Sequence, residues 1–465
     1  DFILAGITSE NLFTIEGLEL NTKYYVKVRT ITNTENGAYS ESNTTSATTL
    51  KNYKPKAPVN LSVKENENNS LSVAWSASKS ATGYKVYRAE SRFSEYKLIG
   101  SVNNGTEYID INSNKSRYEN YYKIQAYNEV DNSSLSEPIS IEIQMFGKNT
   151  YIFSDKDDQN EIYNTTESIY NKQHYNQFGT DRYALAYKPG DYTSESQGVV
   201  DIGYYTQILG LGKTPYDVNL ENVKTPCALS GNNATCNFWV GIENVTIKER
   251  QNSDDPTFSF QWAVSQAAPA RRLNVERTAV FDWYYGWASG GYVADSYFAK
   301  AAGSYSQQQY YYRNCYINDG AYGVNWNEVI QGCVGNTVDT SGMKSLANGN
   351  GVSDWGDRNA TTVIESTPKL REKPFLYFDT EKDEYRVFVP AMKNNYKGIS
   401  WSYNNMGEGT SISVDKYFYI ANPDVDTADS INKQLKAGKN IIFQPGVYHV
   451  DKPIEVKKAN TVLLG

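Results

Sequence analysis

Two segments of the sequence combine aromatic rings with amide and hydroxyl groups. The first covers residues 262–272 and contains Trp262 and Gln266, and the second covers residues 282–291 and contains Ser289. Trp and Tyr rings present a flat apolar surface that can stack on a sugar ring, whereas Gln and Ser can hydrogen-bond a water or a sugar hydroxyl. These residue types indicate a groove that recognises carbohydrate. The same rings could instead fill the corners of a repetitive β-fold, and composition alone favours neither interpretation.

Other catalytic patterns are absent from the sequence. It contains no HExxH, GxSxG, Walker loop or GxGxxG, and its only histidines are His174 and His449, so a histidine-rich metal site is excluded. We expect His449 to have a structural role in a strand. Asp282 and Asp295 flank the second segment, and for Asp295 we expect the role of a turn cap rather than an acid or base. No cofactor and no metal is implied.

Composition and charge restrict the partners of the protein. The 465 residues include 45 Lys+Arg and 53 Asp+Glu, which gives a formal charge of −8. This balance, without a long basic run, argues against nucleic acid and against anionic membrane surfaces. No apolar run approaches the roughly 20 residues that a membrane helix needs. The abundance of Asn, Ser, Thr, Tyr and Gly favours turns and β-structure, and we expect a secreted or cell-surface protein that is a monomer.

The four cysteines leave two alternatives open. Cys227 and Cys236 could close a short disulfide loop in an oxidising compartment, or they could remain thiols. If the interval from Cys315 to Cys333 is one coil of a solenoid, these two side chains stack in an interior ladder at least as readily as they form a disulfide.

An internal repeat organises the chain after about residue 148. Residues 183–192 and residues 440–448 both contain strand-like sequence, a Pro-Gly pair and a Tyr, so that Pro189 in the first copy matches Pro445 in the second. Each copy leads to a second short apolar segment that ends in Gly. Self-similarity of this kind is typical of solenoids.

Each copy of the repeat also follows a predicted helix. The helices are expected over residues 159–173 and over residues 427–437, where Ile431 and Leu435 share one face. A helix, a strand, a Pro-Gly turn and a further strand form an entrance to a β-solenoid. The chain is therefore predicted to contain two such entrances.

Short strand-like pieces recur between the two entrances. They lie at Asn244, Asn274, Asp295, Asn314 and Gly332. The intervals between them shorten along the chain and converge on about 20 residues, which is the length of one coil of a parallel β-helix. The Gly- and Asn-rich stretch at residues 336–367 is expected to be a surface loop. We predict a first right-handed β-helix over residues 147–340, a connector with a β-hairpin over residues 341–420, and the start of a second β-helix over residues 421–465.

The N-terminal part of the sequence predicts a β-sandwich. Short strands with alternating polarity are expected across residues 58–144, the last of them at residues 139–143, with Trp75 in the core. Residues 53–146 resemble a fibronectin type III module, and residues 1–52 resemble the C-terminal part of another. Such modules usually act as spacers. The fold class predicted for the whole chain is all-β.

Several long motifs in residues 149–465 resemble bacterial members of glycoside hydrolase family 55, the β-1,3-glucanase family built from two tandem β-helices. These motifs lie at residues 176–192, 237–239, 262–269, 285–292, 306–309, 371–377 and 445–449. The resemblance implies a hydrolase of laminarin-like β-1,3-glucan that is mostly exo-acting and inverting, with its site between the two β-helices.

The resemblance also implies roles for individual residues. Matched motif by motif, Gln266 and Ser289 position the attacking water, and Tyr285 lies at a sugar subsite. Trp287 and Trp262 are further candidates for substrate binding. The general acid of the family is a Glu in the second β-helix, at a position beyond Gly465. We therefore expect residues 1–465 alone to be inactive or nearly so.

Two other functions are compatible with the same motifs. The first is a noncatalytic glycan-binding or cell-surface β-solenoid that keeps the aromatic groove without the acid. The second is a polysaccharide lyase, which would need a basic site and often calcium-binding carboxylates to handle uronates. The charge of −8 and the groove of aromatic rings and amides favour a neutral glucan over a uronate.

Overall fold

The chain is organised as two compact units, which comprise Asp1–Glu90 with Glu95–Ile141, and Ser91–Ser94 with Glu142–Gly465. The all-β fold predicted from the sequence is confirmed, because strands form most of the regular structure in both units. None of the helices in the described residues is both long and apolar enough to cross a membrane. The computed structural model describes residues 2–31, 40–193, 199–226, 233–249, 259–281, 287–303, 309–322, 327–335 and 361–465.

The first unit contains the predicted sandwich of two antiparallel three-stranded sheets. One sheet comprises Ser62–Glu65, Leu71–Ala74 and Glu107–Asp110, and the other comprises Lys97–Val102, Gly83–Ala89 and Tyr121–Tyr127. Alternate residues of these strands are buried, as a half-exposed sheet requires. Trp75 is buried as predicted and meets Tyr84 edge to face at 5.2 Å between ring centroids.

A separate antiparallel pair precedes this sandwich. It joins Lys23–Val26 to Thr45–Thr48, and the hydroxyl of Tyr24 accepts a 2.9 Å hydrogen bond from the backbone N–H of Glu19. A tyrosine that bonds back to the chain a few residues upstream is typical of the corner of an immunoglobulin-like sandwich.

One predicted strand of the sandwich is wrong. At residues 139–143 only Ile139 pairs with a neighbouring strand, through Tyr122, and helix Ile141–Phe146 follows at once. The alternation of Ile with polar residues suggests a strand, but Glu142 is buried. Its carboxylate lies 2.7 Å from the ammonium of Lys188 and accepts from the hydroxyl of Tyr385 at 2.5 Å. These tertiary contacts favour the helix over the strand that the alternation of apolar and polar residues predicts.

The second unit is built on a long parallel sheet, here called the main sheet. Successive strands stack in register, one from each coil, which is the arrangement of a parallel β-helix. In chain order its strands are Thr150–Phe153, Tyr183–Tyr187, Thr206–Gly210, Gly241–Ile247, Pro269–Val275, Gly291–Ala294, Gln309–Arg313, Asn327–Gln331 and Thr361–Ile364.

Shorter strands complete each coil on two further faces. One face extends the main sheet through Gly190–Tyr192, Val218–Leu220, Tyr297–Phe298 and Tyr316–Ile317. The other is a separate parallel sheet of two-residue strands at Val200–Asp201, Val223–Lys224, Phe260–Gln261, Ala279–Val280, Ala302–Gly303 and Ala321–Tyr322. Aliphatic and aromatic side chains from all three faces, among them Leu185, Val245 and Phe281, fill the interior. The hydrophobic effect thus holds the coils together.

In the five coils from strand Gly241–Ile247 to strand Asn327–Gln331, the chain bends out of the main sheet at a single residue in the left-handed backbone region. We call this row the exit corner, and it consists of Asn244, Arg272, Asp295, Asn314 and Gly332, with φ of 60°, 48°, 51°, 52° and 63°. Asn, Asp and Gly tolerate this conformation better than other residues. The intervals between corner residues shorten along the chain, as the sequence predicted.

The predicted repeat was wrong by two residues at one coil. Asn274 pairs with Thr246, and Arg272 occupies the exit corner opposite Asn244. The guanidinium of Arg272 compensates for its unfavourable backbone conformation. Its Nε donates to Oδ1 of Asn244 at 3.3 Å, and its Nη1 lies 3.5 Å from Oδ2 of Asp295.

The main sheet continues beyond residue 340. Thr361–Ile364 pairs in parallel with Asn327–Gln331, so the end of the predicted surface loop at residues 336–367 is a strand, whereas residues 336–360 lie outside the described part of the chain. Antiparallel structure follows, as the predicted hairpin requires. Thr367–Leu370 pairs with Lys393–Tyr396, and Glu384–Pro390 pairs with both Phe375–Asp379 and Gly409–Ser413.

The last part of the chain begins a second parallel stack. Helix Val414–Tyr417 leads to a sheet of Phe418–Ala421, Asn440–Phe443 and Leu463–Leu464. Both helices predicted at the entrances are confirmed, as Gln159–Gln173 and as Ala428–Lys436, and Ile431 and Leu435 are buried on one face. His449 is exposed and lies after the strand rather than in it.

A tyrosine latch confirms the internal repeat in three dimensions. The hydroxyl of Tyr192 lies 2.8 Å from the carbonyl oxygen of Lys188 and 3.0 Å from that of Phe153. The hydroxyl of Tyr448 lies 3.1 Å from the carbonyl of Gln444 and 2.7 Å from that of Ala421. In both copies the latch joins the residue before the Pro-Gly turn to the end of the preceding strand. Both entrances thus contain the same pair of hydrogen bonds from a tyrosine hydroxyl to two backbone carbonyls.

Tyr192→Phe tests this latch. The change keeps the ring and removes the only group of that side chain that can donate to the two carbonyls, so we expect a loss of about 1 kcal/mol in the free energy of unfolding. Calorimetry of the protein should show a lower melting temperature. Tyr403→Phe, at an exposed ring, is the matched control. Equal melting temperatures for the two variants would contradict the role of the latch.

Candidate functional site

Gln266 and Ser289 lie at equivalent positions of successive coils. Pro269 pairs with Tyr292 in the main sheet, and counting back three residues on each strand places Gln266 opposite Ser289. The distances agree, since a β-carbon on Gly290 would lie 3.5 Å from Cγ of Gln266. Gln266 is exposed and Ser289 is largely buried. The structure therefore brings together the two residues that the sequence motifs assign to an attacking water.

A second row of left-handed residues positions this pair. We call it the entry corner, because each member precedes a strand of the main sheet: Tyr205, Trp239, Ala267 and Gly290, with φ of 56°, 57°, 53° and 80°. Gln266 and Ser289 each lie one residue before the corner. The sharp change of direction there fixes where their side chains leave the coil, as a rigid strand end does for many functional residues.

The hydroxyl of Ser289 has a defined donor direction. It donates to Oε1 of Gln309 at 2.7 Å, and the backbone N–H of Gly290 donates to the carbonyl of Gln309 at 2.7 Å. The backbone N–H of Ser289 donates to the carbonyl of Val264 at 3.1 Å. Because its only proton is engaged by Gln309, the Ser289 oxygen is left to accept a hydrogen bond from a bound water. The role of Gln309 was not foreseen, although its motif at residues 306–309 was singled out.

Trp262 does not bind substrate in the way that the sequence suggested. Its side chain is 0% exposed inside the coil, so no face of the indole is available to a sugar, and the expectation is corrected. The indole N–H donates to the carbonyl of Ala268 at 3.2 Å, and the carbonyl of Trp262 accepts from the hydroxyl of Tyr310 at 3.0 Å. Trp262 is a core residue that supports the turn carrying Gln266.

The remaining aromatic candidates fall into two groups. Tyr285 lies outside the described residues, as does Asp282, so their predicted roles stay predictions. Trp287 is described and its side chain is 62% exposed, two residues before Ser289. A ring so exposed next to the candidate pair is available for contact with a ligand.

A cleft of about 720 Å³ lies between the main sheet and the start of the second parallel stack. The entry corner contributes Tyr205, Trp239 and Ala267 to its lining, and the second stack contributes Ile442 and Phe443. The walls are mainly apolar and aromatic with a few polar groups, which is typical of ligand sites. The polar side chains include Arg182, Gln207, Glu243, Lys373 and Gln444.

Buried charges attach the connector to the main sheet. Oε2 of Glu372 lies 2.9 Å from Nη2 of Arg271 and also pairs with Arg313. Burial raises the pKa of Glu372 to about 7, and the nearby Asp295 adds to the rise, while the two arginines act against it. The neighbouring Lys373 pairs with Glu243 at 2.8 Å on the wall of the cleft. This cluster fixes the connector beside the cleft.

Asp295 has the predicted structural role. It caps the exit corner, where its Oδ1 accepts from the backbone N–H of Ser400 at 2.5 Å and its Oδ2 accepts from the Ser400 hydroxyl at 2.8 Å. Its carbonyl accepts from the indole of Trp401 at 2.7 Å. Burial raises the pKa of Asp295, and Arg272 opposes that shift.

The cysteines that the structure describes are free thiols. Cys315 and Cys333 stack on successive coils, where the backbone N–H of Cys315 donates to Sγ of Cys333 at 3.3 Å. Cys236 is buried and donates to the carbonyl of Asn233 at 3.1 Å. Cys227 lies outside the described residues. No group of three or more potential metal ligands occurs in the described ranges.

The second unit thus defines a class of protein: a parallel β-helix that leads, through an antiparallel connector, into a second parallel stack, with a polar and aromatic corner beside the cleft. Comparison with known proteins agrees. The family model for the LAM55 pectate lyase-like domain matches residues 418–465.

A relative described as an exo-beta-1,3-glucanase, from Streptomyces sp. (strain SirexAA-E / ActE), is 41% identical over 307 residues, which cover 66% of this chain and 46% of the relative. The solved structure of sacteLam55A from Streptomyces sp. SirexAA-E has 40% identity and a TM-score of 0.58, covering 68% of this chain and 52% of that chain. The chain spans about half the length of these relatives. The predicted resemblance to glycoside hydrolase family 55 is confirmed over about two thirds of the chain.

Glu372→Ala tests the buried charge cluster. The change leaves two largely buried arginines without their shared partner, and breaking a buried ion pair costs about 3–5 kcal/mol. We expect a clear fall in the melting temperature. Glu365→Ala, which removes an exposed partner of Lys397, is the control and should change little. An equally small effect at Glu372 would show that the cluster does not hold the connector.

Proposed function

We propose that the protein is a secreted, monomeric glycoside hydrolase that releases glucose from the ends of β-1,3-glucan with inversion at the anomeric carbon. The proposal is supported by the relative described as an exo-beta-1,3-glucanase. The observation that carries it is the placement of Gln266 and Ser289 at equivalent positions of adjacent coils, next to Ala267, which lines the cleft. A neutral polymer also suits a site of aromatic rings and amides.

The geometry explains how these residues would activate a water. Oε1 of Gln266 and Oγ of Ser289 both accept hydrogen bonds, so a water that donates one proton to each directs a lone pair away from the protein. Gln309 is important to this arrangement, because its Oε1 accepts the hydrogen bond of the Ser289 hydroxyl. Neither Gln266 nor Ser289 is a carboxylate that could form a glycosyl ester, so the site fits direct attack by water better than a covalent intermediate.

Inversion divides the reaction between two sides of the sugar. A carboxylic acid protonates the oxygen of the glycosidic bond as that bond breaks, and the held water attacks the anomeric carbon from the opposite side. The new carbon–oxygen bond forms as the water passes its excess proton to solvent. In this scheme Gln266 and Ser289 contribute orientation, which converts an encounter with water into a directed step.

Laminarin hydrolysis by the protein at its full natural length tests the proposed function. We expect glucose as the main product, and we expect Gln266→Ala and Ser289→Ala each to lower kcat at least about 100-fold while the fold is retained. Reducing-sugar assays and product chromatography measure this, with barley mixed-linkage glucan as the control substrate. If no sugar is released but laminarin still retards the protein in an affinity gel, the protein is instead a glycan-binding solenoid.

Gln309 should behave as a positioning residue for Ser289. Gln309→Leu removes the acceptor, so the Ser289 hydroxyl can turn and donate to the water, and we expect kcat to fall about tenfold with KM nearly unchanged. Gln309→Glu keeps an acceptor and should retain more activity than Gln309→Leu. Because the side chain of Gln309 is exposed, both variants should fold. Equal kcat for Gln309→Leu and the unsubstituted protein would exclude this role.

A further inference from the structure

An aromatic stack runs along the entry corner and ends at the cleft. The guanidinium carbon of Arg182 lies 3.4 Å from the centroid of the Tyr205 ring. The rings of Tyr205 and Trp239 are nearly parallel, with 4.9 Å between centroids and 16° between planes. That spacing matches the roughly 4.8 Å between neighbouring strands, because Gln207 pairs with Gly241 and so places the two rings on equivalent positions of adjacent coils.

The backbone of both rings is held in an unfavourable conformation. Tyr205 and Trp239 have φ of 56° and 57°, and the left-handed region costs a residue with a β-carbon about 1–2 kcal/mol. Bulky aromatic residues are uncommon there. Even so, the Trp239 side chain remains 41% exposed, so a large part of the ring is held at the surface of the coil. Strain of this kind concentrates at binding and catalytic sites.

The stack stops abruptly at the next coil. The corner positions that follow Trp239 are Ala267 and Gly290, neither of which carries a ring. Tyr205 covers one face of the Trp239 indole, and Phe238 meets the indole edge to face at 4.7 Å between centroids. The side of the stack toward Ala267 opens into the cleft, whose lining includes Trp239, Ala267 and Pro269. The corner thus has room for one more flat ring in the layer of Ala267.

We propose that a pyranose ring of the glucan fills this layer and stacks on Trp239. A β-linked glucose presents a flat face of C–H groups to an aromatic ring and places its hydroxyls around the rim. Gln266, exposed and adjacent to Ala267, can hydrogen-bond those hydroxyls, as can Gln207 on the cleft wall. The proposal rests on the proposed function and adds a subsite for the sugar beside the water-holding pair.

Binding measurements with Trp239 variants test this subsite. We expect Trp239→Ala to weaken the binding of laminaritriose at least about tenfold, equivalent to about 1.4 kcal/mol, whereas Trp239→Phe keeps a ring and most of the affinity. Tyr417→Ala, which removes another exposed ring outside the cleft, is the matched control. Calorimetry of the protein at its full natural length gives the dissociation constants, and KM for laminarin should rise more than kcat falls.

A second variant tests the vacant layer itself. Ala267→Trp adds an indole where the pyranose is expected, at an exposed position that already carries a β-carbon. We expect the variant to fold, because Ala267 already has a left-handed backbone, and to lose laminaritriose binding, whereas the Tyr417→Ala control should bind as before. Retained affinity in Ala267→Trp would overturn the proposed subsite.

The outcomes separate this inference from the proposed function. If the unsubstituted protein hydrolyses laminarin and Trp239→Ala binds laminaritriose normally, the subsite is wrong and the hydrolase stands. If laminaritriose binding depends on Trp239 but no glucose is released, the subsite stands and the hydrolase is wrong. If the unsubstituted protein does not bind laminaritriose, the subsite is overturned whatever the result with laminarin.

Discussion

The second unit depends on one constraint, which is that successive coils must turn at the same register. Parallel strands can stack only if each coil leaves and enters the main sheet at equivalent residues, and in several successive coils single left-handed residues make these turns. Asn244 to Gly332 mark the exit and Tyr205 to Gly290 mark the entry. Because register fixes the corners, residues distant in sequence, such as Gln266 and Ser289, become neighbours. The candidate site is a consequence of coil geometry more than of any local motif.

The two corners use this constraint in different ways. The exit corner is buried and is satisfied by amides and charges, with Arg272 paired to Asp295 and Asp295 capped by Ser400. The entry corner opens to the cleft through Trp239 and Ala267, and Gln266 lies one residue before Ala267. At the exit corner, buried polar contacts thus compensate for the unfavourable left-handed backbone. At the entry corner, the same backbone conformation places side chains where a ligand can reach them. The buried Glu372 cluster then holds the connector against the same sheet.

Much of the fold could be predicted because its signals are local. Trp75 in a strand, the apolar face of Ile431 and Leu435, and the Pro-Gly repeat all depend on neighbouring residues. Arg272 could not be placed, because its left-handed backbone is stabilised by side chains from other coils. The helix at Ile141 was missed for a similar reason, since Glu142 is fixed by Lys188.

The candidate site was predicted in part. Motif resemblance pointed to Gln266 and Ser289, but it could not show that Trp262 points into the coil or that Gln309 accepts a hydrogen bond from the Ser289 hydroxyl. Trp239 lay in a motif singled out from the sequence, yet its stacking on Tyr205 follows only from the pairing of strands that are far apart in the sequence. The interval from Tyr205 to Trp239 is longer than the intervals between equivalent residues of later coils. Because of this difference, the repeat is not evident in the sequence at these two residues.

The proposed mechanism requires that Gln266 and Ser289 direct a water at the anomeric carbon. The most direct measurement is the anomeric form of the first glucose released from laminarin, followed by proton NMR before mutarotation. Direct attack by a water held between Gln266 and Ser289 predicts the α-anomer as the initial product. The β-anomer would require a covalent intermediate on a carboxylate and would contradict the mechanism.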